Sequence, residues 1–171
     1  MRTNVHRQTD ERSPDADLVR RYRVSKYRVA LVREATISTT WDKTVRQSSD
    51  VATFMAPLVA DLDRETFWAV MLDGRNRVIG VHVLSVGTLT SALVHPRELA
   101  KALILSNSAA AILVHQHPSG DPSPSAEDVA LTERLCAVGD LLGIRILDHI
   151  IIGQDGAYRS LADDGVLGGA R

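Results

Sequence analysis

Between Val114 and Asp128 the chain reads VHQHPSGDPSPSAED, and its residue types and spacing suit a divalent metal. His115 and His117 close an apolar run, AAAILV from Ala109 to Val114. Side chains two apart on an extended chain point to the same side, so both imidazoles can face one point. Pro118, Pro122 and Pro124 lack backbone donors and Gly120 permits a tight turn, so a stiff, folded-back loop follows. Ser125 then opens SAEDVALTERLCAVGDLL, whose Val129, Leu131, Leu135, Val138 and Leu142 recur at helical spacing. Asp128 falls in the first turn of that helix, where its carboxylate can point back toward the histidines. Two neutral imidazoles and one carboxylate suit zinc first.

Ser125 and Asp128 also form S-x-x-D, an acidic variant of the capping box that starts many helices without any chemistry. The donor count separates two kinds of site. A structural zinc takes four protein ligands, often cysteines, whereas a catalytic zinc keeps one position for water. The only cysteine, Cys136, is eight residues beyond Asp128 on the same helix. That is about 12 Å along the axis, too far to join. Three ligands and an open fourth position favour catalysis.

Other elements must hold these residues in place. Residues 1–18 read as a flexible polar leader, and 19–48 as a basic region with a first strand over Tyr27–Ile37. The main domain, 49–171, opens with a helix capped by Ser49 and Asp50. Its apolar face is Val51, Phe54, Met55, Leu58, Val59 and Leu62, and Pro57 kinks it or marks its true first turn. ETFWAVMLD and RVIGVHVLS make a β-hairpin around Gly74-Arg75-Asn76, with Trp68 in the core. Pro96 starts a helix, PRELAKALILSN. AAAILVH, the loop and the Ser125 helix follow. IRILDHIIIG reads as the last core strand and AYRSLADDG as a short polar tail.

At 171 residues, 44% hydrophobic and 24% charged, the chain fits one soluble globular domain. One cysteine excludes a disulfide framework, and the polar start lacks a signal peptide's apolar segment, so a cytoplasmic location is expected. No phosphate-cradling GxxxxGK[ST] or GxGxxG occurs. The net charge of −1 hides an asymmetry: residues 1–33 carry nine Arg/Lys and four Asp/Glu. Arg20, Arg21, Arg23 and Lys26 interleave with Tyr22 and Tyr27, a pattern able to meet phosphate and stack on bases. A cationic edge strand explains the same residues without nucleic acid. Cys136, mid-helix with no activating neighbour, reads as an inert thiol.

His115-x-His117, seven residues, then Ser125-x-x-Asp128 resembles the signature of the JAMM (MPN/JAB) metalloproteases. HQHPSGDPSPSAED, with GTL, VHPRE and LDHIIIG, resembles the RadC-like branch of that family, from about Ser49 to Leu161. The resemblance implies an α/β fold: a single-domain MPN/JAB (cytidine-deaminase-like) α-β-α sandwich with a mixed sheet. It implies a zinc metallopeptidase or isopeptidase with ligands His115, His117 and Asp128, and with Ser125 steadying a tetrahedral intermediate. It further implies a glutamate on an earlier strand as proton shuttle, and the position just upstream of GT holds His82 instead. His82 reads as a shuttle in its own right, an ordinary imidazole pKa near 6.5 being suitable; Glu98 in VHPRE is the alternative carboxylate. Equally, His82 reads as a solvent-facing strand residue and Glu98 as a helix-start carboxylate favoured by the dipole. Asp148 and His149 are candidates to orient the histidines. The competing reading is a metal-binding module of little or no turnover, associated with DNA repair or other nucleic-acid processes.

Overall fold

The computed structural model describes residues 25, 26, 28, 30–37, 43–87 and 94–167. Five strands form one mixed sheet in the order β2-β1-β3-β4-β5, with β1 at Thr66–Leu72, β2 at Val78–Val86, β3 at Ala110–Gln116, β4 at Arg145–Ile152 and β5 at Tyr158–Ser160. All neighbours pair antiparallel except β3 and β4, which are parallel because a helix crosses over between them. The three helices are α1 (Ser48–Val59), α2 (Pro96–Leu105) and α3 (Ala126–Leu142).

The central strand β3 is buried along its whole length, which is why its sequence is apolar without alternation. Its side chains still divide by face. Ala110, Ile112 and Val114 join Val51, Met55 and Val59 of α1 in one core; Ala111 and Leu113 join Leu99 and Leu103 of α2 and Leu135 of α3 in the other. The result is the expected α-β-α arrangement. His115 follows Leu113 on the α2/α3 face, at the carboxyl end of β3, where the chain leaves the sheet. In sheets of this kind ligand sites collect there.

Several expectations shift. α1 begins at Ser48, its N-cap two residues earlier than expected at Gln47, and its capping box is built by Gln47 and Asp50. Pro57 lies in its last turn, not its first, and the helix ends two residues beyond it at Val59. No strand forms at residues 28 and 30–37; Val32 is 82% exposed. The supposed polar tail adds β5, with Leu161 fully enclosed. Asp148 explains this addition: its carboxylate accepts from Ser160 Oγ at 2.6 Å and Ala162 N at 3.0 Å, tying the tail to β4. Trp68 is half-buried, its Nε1 enclosed without a partner. Among the described residues no helix is long and apolar enough to cross a membrane.

Candidate metal centre

β3 delivers the histidines, and α3 delivers the carboxylate. Ser125 is the N-cap of α3: its Oγ accepts from Asp128 N at 3.1 Å, and Asp128 Oδ2 in return accepts from Ser125 N at 2.8 Å. The serine hydroxyl also donates to Oδ2 at 2.6 Å. The cap thus aims Asp128 at the end of β3. The capping and site readings of this tetrapeptide are one arrangement. Its hydroxyl hydrogen is engaged by Asp128, so it must swing away before it can reach a substrate oxygen.

The loop between them is stitched to the β4–β5 turn. His117 N donates to Ile152 O at 3.0 Å, and Gln154 N to Gly120 O at 3.0 Å. The approach is so close that a Cβ on Gly153 would lie 2.3 Å from Gly120 O.

Ligand atoms of His115, His117 and Asp128 all lie within 4.8 Å of one another. His115 Nε2 is 2.9 Å from His117 Nε2 and 3.3 Å from Asp128 Oδ1, and His117 Nε2 is 3.6 Å from Asp128 Oδ2. Tetrahedral zinc with bonds near 2.05 Å needs donors roughly 3.3 Å apart. The observed edges bracket that value. His117 Nδ1 meets the Asp121 carbonyl at 2.7 Å. A carbonyl only accepts, so Nδ1 carries the hydrogen and neutral His117 turns an Nε2 lone pair into the site. The donor set fits a metal ion.

Without an ion, protons can take its place. Burial opposes ionisation of Asp128, but hydrogen bonds from the histidine rings when these carry a proton, and from Ser125, outweigh it and hold its pKa far below the carboxylate range. Hydrogen bonding to Asp128 raises the pKa of His117, with a smaller contribution from the charge of Glu65.

A model of the RadC-like JAB domain matches residues 45–166. The chain belongs to that family. Relatives carrying the name UPF0758 protein include one from Desulforudis audaxviator, 50% identical over 127 residues (74% of this chain and 55% of the relative). Others are from Methanosarcina mazei (48% over 123 residues; 72% and 53%) and Methanosarcina acetivorans (51% over 118 residues; 69% and 51%). The chain spans about half the length of these relatives.

The two shuttle candidates of this RadC-like JAB domain lie apart from the triad. His82 is exposed on β2, paired with Ala69, which in turn pairs with Leu113. Two strand spacings and one same-face step separate it from His115, about 12 Å. Glu98 pairs with Lys101 and with Arg97 at 3.5 Å, and these cations hold its pKa below the ordinary value. Neither residue has a hydrogen bond, ion pair or ring contact to the triad. Asp148 is spent on the β5 turn, whereas His149 bonds directly to His115. Arg20, Arg21 and Arg23 lie outside the described residues; Lys26 is exposed.

Sequence reasoning missed Glu65. Phe67 pairs with His115 in the antiparallel β1–β3 ladder. Carried on by two residues, back along β1 and forward past β3, that register brings Glu65 on the same face to the level of His117, whose imidazole feels its charge. Gln116 anchors this end of β1, its Oε1 accepting from Thr66 N at 3.1 Å and its Nε2 donating to Arg64 O. The only available signal was a carboxylate opening a strand pattern; the pairing register that gives it meaning is a tertiary property. A cleft of about 510 Å³ lies beside His117, lined by Val59, Leu62, Ile152, Gln154 and Asp155 among others.

Proposed function

We propose that this RadC-like JAB domain is a zinc-dependent hydrolase acting on peptide or isopeptide bonds. The carrying observation is the convergence of His115, His117 and Asp128 at the end of β3, with Glu65 on the same face at the level of His117. His115, His117 and Asp128 would hold the zinc. Once bound, it would act as a Lewis acid, acidifying a water and polarising the scissile carbonyl. Glu65 accepts the proton of the attacking water and passes it to the leaving amine, the role for which a partly buried carboxylate beside the site is suited. Ser125 orients Asp128 in the resting state and, with its hydrogen turned outward, steadies the substrate oxygen.

The test is cleavage of a mixed peptide and isopeptide library by zinc-loaded wild type, Glu65→Gln and His82→Ala. Wild-type cleavage abolished by chelation, and a fall of about 10²–10⁴-fold in Glu65→Gln with zinc retained, are expected. His82→Ala should cleave as wild type does. Activity that survives in Glu65→Gln would remove the assigned shuttle, and an inert zinc-loaded wild type would overturn hydrolysis altogether.

A further inference from the structure

The hydrogen-bond chain behind His115 contains more information than its distances. His149 is fully enclosed on β4 beside His115, with the Phe67 ring tilted against it at a centroid distance of 5.0 Å. Its Nε2 meets His115 Nδ1 at 2.8 Å, and its Nδ1 meets Thr132 Oγ1 at 2.6 Å. Thr132 Oγ1 is in turn 2.6 Å from the carbonyl oxygen of Asp128, one turn back on α3. Thr132 is itself completely buried.

Each of these contacts needs one hydrogen, since two lone pairs at such distances repel. The Asp128 carbonyl has none, so the threonine hydroxyl supplies the first. A hydroxyl has only one hydrogen, so the second comes from His149 Nδ1. The His149 ring is fully enclosed, bordered by another histidine, a hydroxyl and a phenyl ring, and pairs with no carboxylate among the described residues that would balance a charge, so it is neutral. Neutral His149 therefore offers an Nε2 lone pair, and the third hydrogen must be the one on His115 Nδ1. The end of the chain is fixed: His115 Nε2 is bare and faces the site.

We infer that Thr132 and His149 form a tautomer lock, positioning residues that hold His115 with its Nε2 lone pair presented for a metal ion. The inference rests on the proposed metal site and adds the groups that prepare it. His117 is set independently by the Asp121 carbonyl. Two bare Nε2 atoms 2.9 Å apart and a carboxylate oxygen then converge with no hydrogen among the two locked rings. A metal ion relieves that arrangement, and in its absence a shared proton on His117 does so. The lock also ties the ligand histidine to the backbone of the ligand aspartate, so β3 and α3 hold their donors at one separation. Neither Thr132 nor His149 touches substrate.

The lock is read on the full chain, without metal, by long-range proton–nitrogen NMR of ¹⁵N-histidine-labelled protein. In wild type, His115 and His149 should both show a protonated Nδ1 and a bare Nε2. Thr132→Val keeps the shape and removes the acceptor; both rings should then populate the other tautomer, and zinc affinity should fall about 10–100-fold. Thr132→Ser should restore tautomers and affinity together, which a packing role for the threonine methyl would not predict. Wild-type His115 protonated at Nε2 would overturn the lock without any variant. So would a Thr132→Val protein with unchanged tautomers and zinc affinity, or a Thr132→Ser protein that behaves like the valine variant. A wild type that shows the locked tautomers yet takes up no zinc would overturn the metal site and leave the lock standing.

Discussion

Replacing Ser125 by alanine removes one oxygen that serves two bonds, and the cost can be worked from each. Asp128 N loses its capping acceptor at 3.1 Å, and Asp128 Oδ2 loses its hydroxyl donor at 2.6 Å. Loss of an N-cap costs about 0.5–2 kcal/mol, and a hydrogen bond to a charged group is worth about 1.5–3 kcal/mol when sheltered. Ser125 is exposed, so water replaces much of what is lost. We expect about 1–2 kcal/mol in all, a fall of roughly 3–6 °C in the Tm of a domain this size. Metal binding should suffer less than from loss of a ligand. Oδ1, not Oδ2, faces His115, and Ser125 N still holds Oδ2 at 2.8 Å. Zinc affinity should drop about tenfold in Ser125→Ala, while Asp128→Ala should lose the ion. The comparison belongs at neutral pH. The Asp128 pKa is depressed, so its contribution is intact above the unfolded value near 3.8 and is lost only as pH falls through the lowered value. Calorimetric melting of metal-free protein and competitive zinc titration measure the two effects separately. A Ser125→Ala protein that melts with wild type, or one that loses zinc as completely as Asp128→Ala, would refute this division of labour.

Zinc uptake should weaken as pH falls below the raised pKa of His117, by up to tenfold per pH unit, because the ion displaces that proton. Calorimetry in buffers of different ionisation heat should find close to one proton released. In the metal-free protein the sign is reversed: the stability His117 contributes is fully present below about 6.5 and disappears as pH rises through its raised pKa. Gly153→Ala forces a Cβ to 2.3 Å from Gly120 O and 2.8 Å from Pro122 Cδ. It should cost about 1–3 kcal/mol and lower zinc affinity with it, since the same contacts hold the His117 loop; unchanged melting and affinity would show the loop free to move.

Most of the fold was legible because its signals are local. Proline at the start of α2, the serine cap of α3 and the turn at Gly74-Arg75-Asn76 each act over a few residues. The failures involve partners distant in the chain. β5 has too few apolar residues to announce itself, and forms because buried Asp148 needs donors that Ser160 and Ala162 supply. The Tyr27–Ile37 segment alternates well, but alternation only describes a strand that finds a neighbour; Leu31 and Val32 remain exposed.

The proposed metal ligands and the proposed shuttle differ in the same way. His115, His117 and Asp128 lie within fourteen residues, on a strand, a tight loop and a helix start whose geometry is fixed by their own sequences. Glu65 is fifty residues from His115 and reaches the site only through the pairing of β1 with β3. A search along the sequence near GT finds His82 on the neighbouring strand instead. That strand is one place further from β3, with β1 between them. Phe67, between Glu65 and Ala69 on the site face of β1, stacks on His115 with ring centroids 5.4 Å apart and planes 9° from parallel. A proton carrier on β2 must act across that ring, whereas one at the start of β1 stands beside it. The sheet order therefore favours Glu65 over His82 on position alone, before any consideration of side-chain chemistry.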